Sequence, residues 1–247
     1  MNKYSSFDGA RIAFQDSGGA GRPVLMLHGF LSSGDANYVA PGIAAAVQAA
    51  GFRTIIPDLR GHGASEASED PGHYPEDVLA MDQEALLKHI GISDFDLVGY
   101  SLGARNAVRM LARGAKPRRC VLGGMGDTGI TDAKARSANF EDLIRNGDKS
   151  ANPDSARIVA IMMERDGLKR QAMLNILDQQ ISTTPDELKK ITTPILVVSG
   201  DRDDDNGSAE GLAKLLPNAT ALRTPGNHMS AVGKPELARA IVDFLSA

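Results

Sequence analysis

Short apolar runs alternate with longer amphipathic stretches along the first half of this chain and return near its end. Strands that are buried on both faces read as continuous apolar segments, and their alternation with helical stretches is typical of a parallel sheet covered by helices on both sides. The predicted strands of this kind are 24–27, 54–57, 95–98, 120–122, 195–199 and 220–223. The pattern therefore predicts an α/β fold.

Two further strands are predicted near the N-terminus, at residues 4–7 and 11–15. They flank Asp8-Gly9, a dipeptide that favours a tight hairpin turn. We expect this pair to form an antiparallel edge, so that the whole is a mostly parallel sheet of eight strands.

Helical periodicity predicts five helices around the sheet, at residues 41–50, 75–90, 102–113, 208–216 and 235–245. Between residues 127 and 191 the alternation with strands lapses. This stretch is polar, contains methionines and is interrupted by Gly147, Pro153, Gly167 and Pro185. We interpret residues 127–191 as an inserted helical cap of three or four short helices, and residues 1–126 and 192–247 as the core domain.

Charge and composition narrow the class of protein. The net charge is −4, and basic residues do not cluster apart from the turn at 116–119, which argues against a nucleic-acid partner. The single cysteine, Cys120, lies in an apolar run and is predicted to be a buried thiol. The N-terminus lacks the apolar core of a signal peptide, and no stretch approaches the ~20 apolar residues of a membrane span. We therefore expect a cytoplasmic protein without membrane contact, whose oligomeric state the sequence leaves open.

The most informative motif is Gly99-Tyr100-Ser101-Leu102-Gly103, a G-x-S-x-G between a predicted strand and a predicted helix. A serine on such a sharp turn projects its hydroxyl beyond the end of the sheet, and the small flanking residues let the backbone turn without clashes. The backbone N–H groups that follow lie at a helix N-terminus, where they can stabilise developing negative charge. The motif therefore indicates a nucleophilic serine.

A serine hydroxyl needs a base within hydrogen-bond reach, and His228 is the best of the five histidines for this role. It lies in a turn directly after the last predicted strand, where open parallel sheets collect catalytic groups. An acid that orients it is expected after strand 195–199, where four aspartates compete: Asp201, Asp203, Asp204 and Asp205. The run lacks the spaced ligands, glycine and distal glutamate of a calcium loop, so no metal is predicted.

Together these residues resemble the α/β-hydrolase family, with its order of nucleophile, acid and histidine. The resemblance covers nearly the whole chain and extends to His28-Gly29-Phe30, to the segment 58–65 and to the C-terminal Gly-x-His followed by Pro235-Glu236-Leu237. It implies that Ser101 is the nucleophile, His228 the base and Asp203 the acid. Asp127 stays an alternative acid, because some members of the family take it from the end of the sixth strand. Gly207 stands where the family often has a proline.

The same resemblance implies further site residues. The backbone N–H groups of Phe30 and Leu102 are expected to form an oxyanion hole, where charge that develops in the transition state is stabilised. His28, Gly29, Gly99 and Gly103 are expected to support this loop and the serine turn, whereas His62 is expected to be structural. A substrate pocket is predicted to involve Tyr100, Asp127, Met162 and Met163.

The expected activity is cleavage of a carboxylic ester or a related acyl bond in a small molecule. Carbon-carbon hydrolase, lactonase, thioesterase and perhydrolase activities use the same triad, and a receptor that binds a small molecule without catalysis is an alternative of another class. Residues 124–129 match the glycine pattern of dinucleotide sites, but no strand ending in an acidic residue follows. We therefore expect no cofactor.

Overall fold

One sheet of eight strands organises the chain in a computed structural model that describes residues 1–247. The strands are β1 (Asn2–Ser5), β2 (Arg11–Asp16), β3 (Pro23–Leu27), β4 (Arg53–Pro57), β5 (Asp96–Tyr100), β6 (Cys120–Gly123), β7 (Ile195–Gly200) and β8 (Ala219–Thr224). Their spatial order is β1-β2-β4-β3-β5-β6-β7-β8. β2 pairs antiparallel with both β1 and β4, and all other pairs are parallel. The predicted fold class is confirmed.

Helices cover both faces of the sheet. They are α1 (Ile43–Ala49), α2 (Val78–His89), α3 (Leu102–Ala112), α4 (Asp127–Thr131), α5 (Ala133–Asn146), α6 (Pro153–Arg165), α7 (Arg170–Asp178), α8 (Pro185–Leu188), α9 (Ala209–Leu215) and α10 (Pro235–Ser246). None of them is both long and apolar enough to cross a bilayer.

Alternate residues of each central strand point to opposite faces and join two separate apolar clusters. In β3, Val24 and Met26 pack with α1 and α10, whereas Leu25 and Leu27 belong to a larger cluster that includes α2, α3 and α9. Cys120 in β6 is fully buried in the larger cluster, and burial raises the pKa of its thiol. The central strands are therefore buried on both faces, as the continuous apolar runs predict, whereas the edge strand β8 is partly exposed and leaves Leu222 open to solvent.

Five helices, α4 to α8, lie between β6 and β7, where three or four were predicted. The apolar residues of α7 are buried in the same cluster as the sheet residues Leu97 and Leu122. The division of the chain into a core and a cap stays a prediction, because this cluster runs without a break from one to the other.

Several element boundaries differ from the predicted ones. β1 ends at Ser5 because residues 6–10 form a hairpin loop wider than the predicted two-residue turn, closed by the hydrogen bond from the Ser6 N–H to the Ala10 carbonyl. The helix expected from residue 75 begins only at Val78, after Asp77 in a left-handed conformation. A short π-helix, Asp35–Val39, has no counterpart among the predicted elements.

Candidate active site

Ser101 occupies the sharp turn between β5 and α3, with φ 53° and ψ −114°. This left-handed backbone is strained for a residue with a side chain, and it is held by the tight approach of its neighbours. A Cβ atom on Gly99 would lie 2.3 Å from the Gly103 carbonyl oxygen, and one on Gly103 would lie 1.9 Å from the Leu27 carbonyl oxygen. Both glycines are therefore needed for the strand, the turn and the helix to meet, and the turn lifts Ser101 to the carboxyl edge of the sheet.

His228 reaches Ser101 from the turn after β8. Its Nε2 lies 3.0 Å from the Ser101 Oγ, and its Nδ1 lies 3.2 and 3.1 Å from the two carboxylate oxygens of Asp203. A carboxylate only accepts hydrogen bonds, so Nδ1 carries the proton and donates it, and Nε2 is left to accept from the serine hydroxyl. Asp203 is almost completely buried, with 2% of its side chain exposed. The three sequence-predicted residues are thus brought together in a continuous chain of hydrogen bonds.

The other candidate acids lie elsewhere. Asp201 accepts a hydrogen bond from the Gly226 N–H at 2.9 Å and so holds the turn that precedes His228. Asp127 accepts from the N–H groups of Thr128 and Ser208. Its carboxylate joins the start of α4 to the loop before α9 and makes no hydrogen bond to His228, whose Nδ1 is bonded to Asp203.

A cation would have some oxygen ligands here, because ligand atoms of Asp203, Asp205 and His228 lie within 4.8 Å of one another. Asp205 is largely exposed, with 57% of its side chain open to solvent. A metal bound to Nδ1 would need that nitrogen without its proton, which is incompatible with the hydrogen bond to Asp203. The donor set therefore fits an orienting carboxylate better than a metal centre.

Two backbone N–H groups near the serine, those predicted to bind an oxyanion, have no acceptor within the chain. One is the N–H of Phe30. That of Leu102 belongs to the first residue of α3, where helical N–H groups lack partners. The loop that carries Phe30 passes close to the nucleophile, since a Cβ on Gly29 would lie 3.4 Å from the Ser101 Cβ. The Gly29 N–H donates to the side-chain oxygen of Asn37, at 2.9 Å, which fixes the loop.

Two buried histidines brace the same loop. Nδ1 of His28 donates to the Gly29 carbonyl at 2.7 Å, and Nε2 accepts from the Leu59 N–H at 2.9 Å. His62 accepts from the Leu31 N–H at 3.3 Å through Nε2. Burial lowers the pKa of His28 to about 4 and, together with the neighbouring His28, the pKa of His62 to about 3. Both rings are therefore neutral at pH 7, and their hydrogen bonds connect this loop to the segment that contains Leu59 and His62.

A cavity of about 290 Å³ opens above the serine. It is lined by Gly29, Phe30, Leu31, Ser32, Ala36, Asn37, Tyr100, Ser101, Met162, Arg165, His228, Met229 and Val232. The hydroxyl of Tyr100 donates to the His228 carbonyl at 2.7 Å, so this tyrosine both lines the cavity and holds the histidine turn. A larger open depression of about 710 Å³ lies at the opposite edge of the sheet, where β6 and β7 begin, and contains none of these groups.

Two predicted pocket residues lie outside the cavity. Asp127 is turned toward Ser208, as described above, because it begins α4. Met162 and Met163 both pack against the larger apolar cluster, and of the two only Met162 also lines the cavity. Adjacent helical positions point about 100° apart, so the two side chains lie on different parts of the helix surface.

Sequence reasoning missed other residues of the site. Asn37 lies in the unpredicted π-helix, and no local pattern marks it as a partner of Gly29. Met229 and Val232 also line the cavity, and both lie within four residues of His228 in the sequence. That closeness to a predicted site residue is a signal from which they could have been predicted.

Comparisons with known proteins agree with the fold. A family model described as alpha/beta hydrolase fold matches residues 22–123. The chain is 28% identical over 245 residues to the non-heme chloroperoxidase CPO-A1 of Kitasatospora aureofaciens, an alignment that covers 86% of each protein. A crystal structure of a hydrolase from Pseudomonas aeruginosa PA01 superposes with a TM-score of 0.76 at 22% identity, over 100% of this chain and 98% of that one. The esterase RhEst1 from Rhodococcus sp. ECU1013 gives a TM-score of 0.75 at 24% identity, with the same coverage.

Proposed function

We propose that this chain, which has the α/β-hydrolase fold, is a serine hydrolase that cleaves a carboxylic ester or a related acyl bond of a small molecule. The observation that carries the proposal is the hydrogen-bond chain from the Ser101 Oγ through His228 to Asp203. Its serine end faces a cavity large enough for a small substrate.

The first half of the reaction acylates the serine. His228 Nε2 takes the hydroxyl proton of Ser101 while Oγ attacks the carbonyl carbon, and the carbonyl oxygen becomes an oxyanion. The N–H groups of Phe30 and Leu102 stabilise that charge, which exists only in the tetrahedral state. The histidine then gives its proton to the departing alcohol as the bond to the leaving oxygen breaks, and Asp203 stabilises the imidazolium in between.

The second half releases the acid. Water loses a proton to His228 and attacks the acyl carbon, the bond to Ser101 Oγ breaks, and the proton returns to the serine. No group outside the triad and the two N–H donors is required for either half. The neutral side chains of His28 and His62 take no part in proton transfer in this scheme, because their low pKa values and internal hydrogen bonds keep both rings in one tautomer.

Reaction with a fluorophosphonate probe tests the proposal, because the probe phosphonylates only an activated hydroxyl. We expect an adduct on the peptide that contains Ser101, no adduct in Ser101→Ala, and strongly reduced labelling in His228→Ala, which keeps the serine but lacks its base. Hydrolysis of p-nitrophenyl esters should fall by several orders of magnitude in both variants. A folded wild-type protein that neither labels nor hydrolyses would be a small-molecule receptor instead.

Perhydrolysis is a second candidate, favoured by the similarity to a protein named non-heme chloroperoxidase along most of the chain. Hydrogen peroxide would replace water in the second half: it loses a proton to His228, attacks the acyl carbon and leaves as a peracid, and Ser101 recovers its proton. Peracid formation from a carboxylic acid or ester and peroxide, measured against the rate of hydrolysis, distinguishes the two activities. The Ser101→Ala variant should lose both.

A further inference from the structure

A second and smaller cavity, of about 20 Å³, adjoins the nucleophile. It shares Ser101 and Phe30 with the larger cavity but is not lined by His228. Two arginines, Arg105 and Arg136, contribute to its wall. Neither has been given a role by the triad chemistry.

Arg105 is buried, with 6% of its surface exposed, and no carboxylate of the chain forms an ion pair with it. It lies one turn after Ser101 in α3 and lines the second cavity together with that serine. Nε donates to the Gly129 carbonyl at 2.9 Å and Nη1 to the Gln180 side-chain oxygen at 3.2 Å. Because guanidinium has five N–H donors, three are left without an acceptor in the chain.

Burying a cation that has no carboxylate partner costs desolvation free energy, so buried cations in proteins are normally paired with an anion. Burial, with a smaller effect of the nearby Arg136 charge, lowers the pKa of Arg105 to about 10. Arg105 is therefore still protonated at pH 7. Its unpaired charge calls for an anion from outside the chain.

Arg136 approaches the same cavity from α5. Its guanidinium lies over the Phe140 ring, 5.2 Å from the ring centre, and its ion-pair partner is the exposed Asp205, at 3.7 Å. An exposed pair at that distance contributes little and leaves the cation available. The adjacent Ser137 Oγ is buried at the cavity wall and has no hydrogen-bond partner. The cavity thus combines two cations with an unused hydroxyl donor.

The position of His228 decides which part of the substrate meets these groups. His228 protonates the leaving alcohol, so the alcohol part must lie on its side, in the 290 Å³ cavity. The acyl part then extends toward the second cavity. Since that space holds about one water-sized group, it admits one oxygen of a terminal carboxylate, and only a short acyl chain places that oxygen there without displacing the walls.

We infer that Arg105, Arg136 and Ser137 bind a carboxylate at the end of a short acyl chain, so that the preferred substrate is a half-ester of a small dicarboxylic acid. This inference rests on the proposed serine hydrolase function. It assigns the two cations to substrate selection rather than to the chemistry at the scissile bond.

The test compares two esters of the same carbon number, ethyl hydrogen succinate and ethyl butyrate, by proton release at constant pH. The only difference between their acyl chains is a terminal carboxylate in place of a methyl group. A hydrogen bond to a charged group corresponds to about 10- to 100-fold in binding, so we expect kcat/KM for the succinate half-ester to exceed that for the butyrate ester by this factor. The preference should shrink for ethyl hydrogen adipate against ethyl hexanoate, because the longer acyl chain does not fit.

Single substitutions test which residue causes the preference for the anionic ester. In Arg136→Gln we expect the ratio of the two kcat/KM values to fall about tenfold, mainly through KM of the anionic ester. Arg105→Met should reduce the ratio further, but Arg105 also holds Gly129 and Gln180, so the less buried Arg136 supplies the decisive variant. The matched control is Arg145→Gln on the same helix, whose partner is Glu141 at the surface. It should leave the ratio unchanged.

Binding is measured separately from turnover with succinate itself. We expect succinate to raise the Tm of Ser101→Ala, and the rise to be lost when Arg136→Gln is added. Cleavage of ethyl butyrate at the same rate as the succinate half-ester, or equal ratios in wild type and Arg136→Gln, would overturn the inference and leave the proposed function intact. Failure to cleave either ester, with no fluorophosphonate adduct, would instead overturn the proposed function.

Discussion

Replacing Asp203 by asparagine tests the orienting acid with almost no change of shape. The carboxylate accepts from His228 Nδ1 with both oxygens, at 3.1 and 3.2 Å. An amide in the same position presents an NH₂ group on one side, which favours a histidine that accepts through Nδ1 and carries its proton on Nε2. That proton would then face the Ser101 Oγ across the present 3.0 Å and leave no base for the hydroxyl.

The expected loss follows from this inverted tautomer. Turnover should fall by about 10⁴-fold, which corresponds to about 5.5 kcal/mol of transition-state stabilisation. The matched control is Asp205→Asn, which removes a carboxylate from the same turn, but one that is largely exposed and makes no hydrogen bond to the histidine. Its kcat should stay within a few-fold of wild type.

The assay is kcat for p-nitrophenyl ester hydrolysis by wild type and both variants, with urea unfolding to establish that all three fold. If Asp203→Asn keeps more than a tenth of the wild-type kcat while folded, or if Asp205→Asn is the slower variant, the assignment of the acid is wrong. Fluorophosphonate labelling of Ser101 should decline in the same order as kcat, because labelling requires the same activated hydroxyl.

Two further predictions concern the frame around the site. Gly103→Ala should abolish activity and lower the free energy of unfolding by several kcal/mol, because the new Cβ would lie 1.9 Å from the Leu27 carbonyl oxygen; a variant with wild-type Tm contradicts this. The lowered pKa values of His28 and His62 mean that the unfolded chain binds more protons below pH 6.5, so stability is full above that pH and declines toward pH 4. The slope, measured by urea unfolding, should approach about 2.7 kcal/mol per pH unit near pH 5 and be about half that in His62→Gln, whereas identical slopes would contradict the reasoning.

The serine turn could be predicted from the sequence because its determinants are local. A side chain on Gly99 would clash with the backbone of the same strand-turn-helix unit, and one on Gly103 would clash with the backbone of the adjoining β3. The G-x-S-x-G motif is the sequence signature of this turn. His228 could be chosen for a similar reason, since it follows the last strand directly. Its approach to Ser101 is set by parallel strands whose carboxyl ends share one edge.

The choice among the aspartates could not be made from the residues alone. Four carboxylates follow β7, and which one faces inward depends on a single turn, closed by the hydrogen bond from the Asp203 N–H to the Gly200 carbonyl. The family resemblance rather than periodicity singled out Asp203. Asp127 was misplaced because its partner, the Ser208 N–H, comes from 81 residues away and leaves no trace in local sequence.

Arg105 illustrates a different limit. In sequence it is one more polar position on an amphipathic helix, and nothing distinguishes it from Arg109, which pairs with Asp77. Arg105 is enclosed because α4 and the residues after α7 pack over α3, and these segments supply a carbonyl and an amide oxygen but no carboxylate. This environment is visible only in the folded chain. Whether a charged side chain has a partner depends on the folded structure and cannot be predicted from the spacing of residues in the sequence.

The burial of α7 limits how substrates can enter. Ala172, Met173, Leu174, Ile176 and Leu177 are all buried in the cluster that also covers the sheet. Lifting this helix would return their side chains to water at a cost on the order of 10 kcal/mol, which disfavours opening of the site on this side. α6 is different, because Ile158 and Ile161 are exposed and Met162 and Arg165 border the opening. On the proposed function, we expect ester and product to pass the rim formed by α6 and Met229 while α7 stays in place.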